Sequence, residues 1–115
     1  GLPGDFSSPS RFVKAAFVKL HSHCEENHEI TEFFHLLDTV AMPRGSVRVR
    51  GEKNEITRYS CCCDLQDRVY YCSTYENRRV QAVQLHRWDL DGSHLLRFSI
   101  PREQDIHFQE ELLDF

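Results

Sequence analysis

Val69-Tyr70-Tyr71-Cys72-Ser73-Thr74-Tyr75 is rich in β-branched and aromatic residues and reads as a strand. Successive side chains in a strand point to opposite faces, so Val69 and Tyr71 oppose Tyr70 and Cys72. Both faces are apolar. Nearby, Val80 and Ala82 are out of phase with Val83 and Leu85, which repeats the pattern. A sheet of this kind needs cover on both sides. Four further strands are predicted: Val47 to Arg50, Ile56 to Leu65, Val80 to Leu85 and Leu95 to Ile100, each bounded by turn residues or charge. The clearest hairpin passes through Leu65-Gln66-Asp67-Arg68, where Gln-Asp is a weak turn pair and leaves loop length and register open.

Upstream of the strands the apolar period changes from two to three and four. Phe12, Val13, Ala16, Phe17 and Leu20 share one helical face, with Lys14 and Lys19 left for the outer side. The polar run His21 to His28 makes a connector. In a second helix Ile30, Phe33, Phe34, Leu37, Val40 and Ala41 step along one side behind an acidic front of Glu25, Glu26 and Glu29, and Pro43 with Gly45 ends it. Two helices can cover one face of the sheet. The other face calls for a further layer that this chain does not obviously supply.

With 40% hydrophobic and 28% charged residues over 115 positions, the composition is that of an ordinary globular protein. A net charge of −4 argues against a nucleic-acid partner, for which a clustered basic face is the expected footprint. No apolar run is long enough for a membrane span, and no signal-peptide pattern opens the chain. Gly1 stands first and Met42 is the only methionine, so a cut, processed or truncated piece of a longer protein is expected. There is no internal domain boundary, repeat or low-complexity segment. The acidic tail from Gln104 carries Ile106, Phe108, Leu112, Leu113 and Phe115, which suits either docking onto the body or a neighbouring subunit, or a frayed terminus.

Five cysteines, three of them adjacent at Cys61, Cys62 and Cys63, do not form a secreted disulfide framework; a reducing cytosol is the simpler setting. Adjacent strand positions alternate faces, so the run is not a zinc knuckle and is expected to act mainly as small buried apolar residues. His21, His23, Cys24 and His28 gather metal-competent types in one connector, but not at a standard zinc spacing, and solvated histidines are the plainer explanation. Asp89-Leu90-Asp91-Gly92-Ser93 looks like a calcium loop yet lacks the later bidentate Glu, so a polar turn between strands is expected. No metal and no cofactor is assigned.

The opening run, Gly1 to Val13, holds the one residue that helix physics does not explain. Leu2-Pro3-Gly4-Asp5 suits a type II turn, Ser8 can act as N-cap, and Pro9 can be the first helical residue. Arg11 then falls in the first turn, where the partial positive charge of the helix end mildly repels a cation. A local pair with Asp5, or simple solvation, is the plain account of such an arginine.

Leu-Pro-Gly-Asp at 2–5, followed by Ser-Ser-Pro-Ser-Arg-Phe-Val-Lys-Ala-Ala-Phe at 7–17, resembles the signature of the choloylglycine hydrolase family. Glu32 to Leu37, Val40 to Gly45, Thr57-Arg58-Tyr59 and Tyr70 to Asn77 resemble further family motifs in the same order. The resemblance implies an α+β chain forming part of a four-layer αββα N-terminal-nucleophile sandwich. Residues 1–115 would be the C-terminal segment of a single larger domain, with the N-terminal portion of the same protein as partner and a homotetramer as assembly. It further implies a cysteine amidase whose N-terminal α-amino group is the base, acting on conjugated bile salts or on penicillin V. Of that catalytic set only Arg11 is matched here. Its fixed positive charge would favour the thiolate and stabilise developing negative charge. No internal cysteine has a free α-amino group, so this chain alone is expected to be inactive. A non-catalytic binding or assembly module is the rival from another class.

Overall fold

The computed structural model describes residues 4–49, 51 and 53–113. Helix α1 spans Ser8–His21 and α2 spans Glu29–Asp38. Strands follow as β1 (Val47–Val49), β2 (Lys53–Glu55), β3 (Tyr59–Asp64), β4 (Val69–Thr74) and β5 (Gln81–Gln84), before a short 3-10 turn at Leu85–Arg87. β1 and β2 form a two-stranded antiparallel sheet, and β3, β4 and β5 a second antiparallel sheet with β4 central. Two helices followed by antiparallel strands is the order that the sequence predicts.

The cap of α1 lies one residue earlier than predicted. Ser7, not Ser8, is the N-cap: its hydroxyl accepts from the Ser10 amide at 3.4 Å, and Pro9 sits within the first turn. Asp5 favours this choice because its carboxylate accepts from both the Ser7 amide (3.1 Å) and the Ser7 hydroxyl (2.6 Å). Of the predicted turn before it, Leu2 and Pro3 lie outside the described residues; Gly4 has φ +73°, as the third position of such a turn requires. α2 stops at Asp38, five residues before Pro43. Thr39 ends it, with its amide and hydroxyl both bonded to the Leu36 carbonyl at 3.1 and 2.7 Å, a side-chain alternative to continuing the helix.

Of the predicted strand Ile56 to Leu65 only Tyr59–Asp64 is strand, as β3, and Ile56 to Arg58 are not. β2 comes before it and was not foreseen in the charged run Lys53-Asn54-Glu55; Gly51 at φ +85° allows the chain to turn back from β1. Arg50, the predicted end of β1, lies outside the described residues. The β3–β4 hairpin is the expected one. Asp64 pairs with Val69 across Leu65-Gln66-Asp67-Arg68, with the Asp64 carboxylate accepting from the Gln66 and Asp67 amides at 3.0 and 3.1 Å and Arg68 at φ 56°. Leu95 to Ile100 forms no strand: it pairs with no strand among the described residues, and strand character needs a partner.

Burial is sparse and centred on β4. Among the described residues Val69 (8% exposed) and Cys72 (4%) are the buried apolar ones, and they point to opposite faces of the sheet. Cys61 and Cys63 are exposed and Cys62 is half-buried, so the expectation that the cysteine run packs as buried apolar residues fails. β3 is an edge strand, and an edge position gives its side chains fewer neighbours. α2 lies against β3 and α1 against α2, while Phe12, Val13, Phe17 and Leu20 of α1 stay exposed. The Cα radius of gyration is 18.0 Å, against about 13 Å for a compact domain of this length. The tail is tied at its start by Thr74 Oγ1 donating to the Pro101 carbonyl (3.0 Å) and an Arg79–Asp105 ion pair at 2.8 Å. From Ile106 to Leu113 it is exposed.

Candidate active site

Arg11 is neither paired with Asp5 nor simply solvated. It is half-buried, and its Nε–H donates to the Val40 carbonyl at 3.0 Å, linking the first turn of α1 to the chain just beyond α2. Asp5 is already committed to the helix cap. Hydrogen bonding by the Ser10 and Ser7 side chains, followed by the Ser7 amide, holds its carboxyl below the usual value. Its negative charge at the N-terminus of α1 also opposes the dipole that disfavours Arg11. None of the ion pairs among the described residues involves Arg11. One donor of the guanidinium therefore sets the side chain, and its terminal nitrogens bond none of the described residues, which leaves them able to meet an anion.

The carbonyl that holds Arg11 is itself held. Val40 and Ala41 amides donate to the Leu37 and Asp38 carbonyls at 3.1 and 3.3 Å. Two residues after Val40, Met42 is clamped by Thr57: the Met42 amide donates to Thr57 Oγ1 at 2.9 Å, and the Thr57 amide donates to the Met42 carbonyl at 3.2 Å. This pair of hydrogen bonds ties the segment between β2 and β3 to the chain beyond α2. Sequence reasoning passed over Thr57 as a site residue, since a threonine before a strand carries no local signal of a partner 15 residues back.

Beside this clamp, a cavity of about 80 Å³ lies between α2 and the sheet, lined by Phe34, Ala41, Thr57, Tyr59 and Thr74 among others. Arg78 and Asp38 face it and pair at 3.1 Å. Asn77 is buried (3% exposed) and bonded three times in a turn. Its amide donates to Thr74 Oγ1, its carbonyl accepts from the Thr74 amide and its side-chain oxygen accepts from the Arg79 amide. Buried polar groups must be satisfied in this way.

The connector histidines do not all converge: His23 and His28 line one open surface pocket with Glu25, Glu32 and His35, and His21 is not part of it. His21 Nδ1 bonds the Phe17 carbonyl at 2.8 Å and its ring stacks on Phe17, and His28 meets only Glu25, at 3.8 Å in solvent. Cys24 is exposed, with its thiol pushed up by desolvation and then by Glu29, Glu32 and Glu25. Among the described residues no three His, Cys, Asp or Glu side chains stand close enough to hold a metal ion. Asp89 to Gly92 is a polar turn, closed by the Asp91 amide on Asp89 Oδ1 and the Gly92 amide on the Asp89 carbonyl, with a strand on neither side. No helix is long and apolar enough to cross a membrane among the described residues.

Residues 1–98 match the linear amide C–N hydrolases, choloylglycine hydrolase family. The chain belongs to the choloylglycine hydrolase family. This family member is 37% identical over 109 residues to the bile salt hydrolase/transferase of Clostridium perfringens, and 43% identical over 109 residues to that of Lactiplantibacillus plantarum. Those alignments cover 93% of the chain but 33% and 34% of the relatives, so the chain spans about a third of their length. The crystal structure of a mutant conjugated bile acid hydrolase from Clostridium perfringens superposes with a TM-score of 0.80 at 36% identity, over 94% of this chain and 33% of that one. A penicillin V acylase from Agrobacterium tumefaciens shares the fold at a TM-score of 0.64 and 22% identity, over 78% and 29% of the two chains.

Proposed function

We propose that these 115 residues are the C-terminal segment of a cysteine N-terminal-nucleophile amidase that hydrolyses glycine- or taurine-conjugated bile salts. The observation that carries this reading is Arg11: a cation at a helix N-terminus, fixed through Nε and in no ion pair among the described residues. In the complete enzyme the nucleophilic cysteine and its α-amino base belong to the N-terminal portion. The sulfur attacks the amide carbonyl, the α-amino group takes the thiol proton and returns it to the leaving amine, and water hydrolyses the thioester. Arg11 stands beside the sulfur, favours its thiolate and stabilises the negative charge of the tetrahedral state without changing its own protonation.

The same reading makes the N-terminal portion the cover for the exposed apolar faces, within a four-layer αββα domain. Bile salts are preferred to penicillin V because the relatives above 30% identity are named for bile salts, whereas the penicillin V acylase bears on the fold alone. A bacterial cytoplasmic homotetramer is the expected setting. A stable non-catalytic module is disfavoured by the number of apolar side chains left in solvent. The test replaces the matching third of the Clostridium perfringens bile salt hydrolase with this chain. The chimera is expected to release glycine from glycocholate while the chain alone does not. A folded but inert chimera, or turnover by the pure chain, contradicts the proposal.

A further inference from the structure

The cysteine run that fails as core places two thiols face to face. Cys61 on β3 is directly opposite Cys72 on β4. Beyond the end of that ladder the Tyr75 amide donates to the Arg58 carbonyl at 3.0 Å, which makes Arg58–Tyr75 a hydrogen-bonded pair in the same register. Bonded and non-bonded pairs alternate along an antiparallel ladder. Tyr59–Thr74 is therefore non-bonded, Ser60–Ser73 bonded and Cys61–Cys72 non-bonded. Non-bonded pairs hold their Cα atoms about 4.5 Å apart with the side chains closest, inside the roughly 4.4–6.8 Å that a disulfide spans.

The neighbouring thiols are badly placed for the same bond. Cys62 points to the opposite face, and burial with the adjacent Cys63, Asp64 and Cys61 pushes its thiol up. Cys63 shares the face of Cys72 but pairs with Tyr70, so it meets Cys72 only along a diagonal of roughly 7–8 Å. Tyr70 shares that face too. Its hydroxyl is pushed up to about 12 by desolvation first and then by Cys61 and Cys72. Cys61 is exposed and Cys72 buried, which gives the pair an attacking thiol open to solvent and a resolving thiol held behind it.

We propose that Cys61 and Cys72 form a peroxide-sensitive pair that closes into a cross-strand disulfide between β3 and β4. The Cys61 thiolate attacks one peroxide oxygen, the O–O bond breaks and water leaves after protonation, giving a sulfenic acid. The Cys72 sulfur then attacks the Cys61 sulfur, the S–O bond breaks and a second water leaves. Two thiols and one hydrogen peroxide thus give one disulfide and two waters.

The test is brief hydrogen peroxide treatment of the native full chain, alkylation, and mass spectrometry under non-reducing conditions. A loss of two hydrogens and a link between the peptides Tyr59–Arg68 and Val69–Arg78 is expected. Because Cys61, Cys62 and Cys63 share the first peptide, variants assign the partner. Cys61→Ser abolishes the link, while the Cys62→Ser/Cys63→Ser double variant keeps it. Cys61 is exposed, so its substitution leaves the fold intact. Higher sulfur acids with no link, or a link that survives Cys61→Ser, overturns the proposal.

Discussion

Val69 and Cys72, in the middle strand of the sheet, are 8% and 4% exposed, whereas Phe12, Val13, Phe17 and Leu20, in the apolar stripe of α1, are 75%, 65%, 60% and 79% exposed. Both regions are regular and both carry a clean apolar pattern. Local hydrogen bonding completes a helix, and each strand of a hairpin completes its neighbour, but burial requires a second surface. The sheet finds part of that surface within the chain. α1 does not, and under the proposed function its cover comes from the N-terminal portion.

The contrast breaks most sharply at Phe17. In the complete enzyme Phe17→Ala is expected to cost about 3 kcal/mol, as a covered aromatic does, and in the chain alone less than about 0.5 kcal/mol, as an exposed one does. Equal small costs in both, measured by denaturant melts, would leave α1 a surface helix. Thr57→Val removes the hydroxyl that clamps Met42 and should loosen the Val40 carbonyl under Arg11. Turnover in the complete enzyme is expected to fall by up to roughly 10²-fold, the effect of a small misplacement of a catalytic group. Thr57→Ser should restore most of it, and an unchanged rate in the valine variant would detach Thr57 from the site.

Smaller effects sharpen the sheet side. Val69→Ala should destabilise by about 2 kcal/mol whether or not the N-terminal portion is present, since its cover is already in this chain. At the start of α1, Ser7→Ala should cost about 1 kcal/mol by removing the cap. The Asp5 carboxyl is lowered in the folded state, so what it contributes is present above its ordinary value near 3.8 and is lost as pH falls through its lower folded value. Asp5→Asn should flatten that acid limb in melts taken below about pH 4. An unaltered limb would show that Asp5 does not support the cap.

Period and turn chemistry made both helices, the β3–β4 hairpin and the order of elements legible in the sequence. Errors arose where two local options were equal or where the deciding contact was distant. Ser7 and Ser8 are equivalent as caps until Asp5 selects one. Pro43 would end α2, but Thr39 ends it earlier by bonding back to Leu36. Alternation at Cys61 to Cys63 was visible, yet nothing in the run says that β3 lies at the edge. Leu95 to Ile100 has strand composition and pairs with no strand among the described residues. Arg11 stood out because its charge opposes the helix dipole. Its anchor, Val40, is 29 residues away, and no local pattern encodes that contact.

Whether Arg11 acts on the reacting atoms is tested most directly by steady-state kinetics with thermal melts on Arg11→Ala and Arg11→Lys in the complete, correctly processed enzyme. Turnover should fall on the order of 10²–10³-fold in the alanine variant at nearly unchanged melting temperature. Lysine should rescue poorly, because it keeps the charge and loses the fork that holds Val40 and an anion together. Near-normal turnover in Arg11→Ala, with the N-terminal cysteine free, would contradict the account.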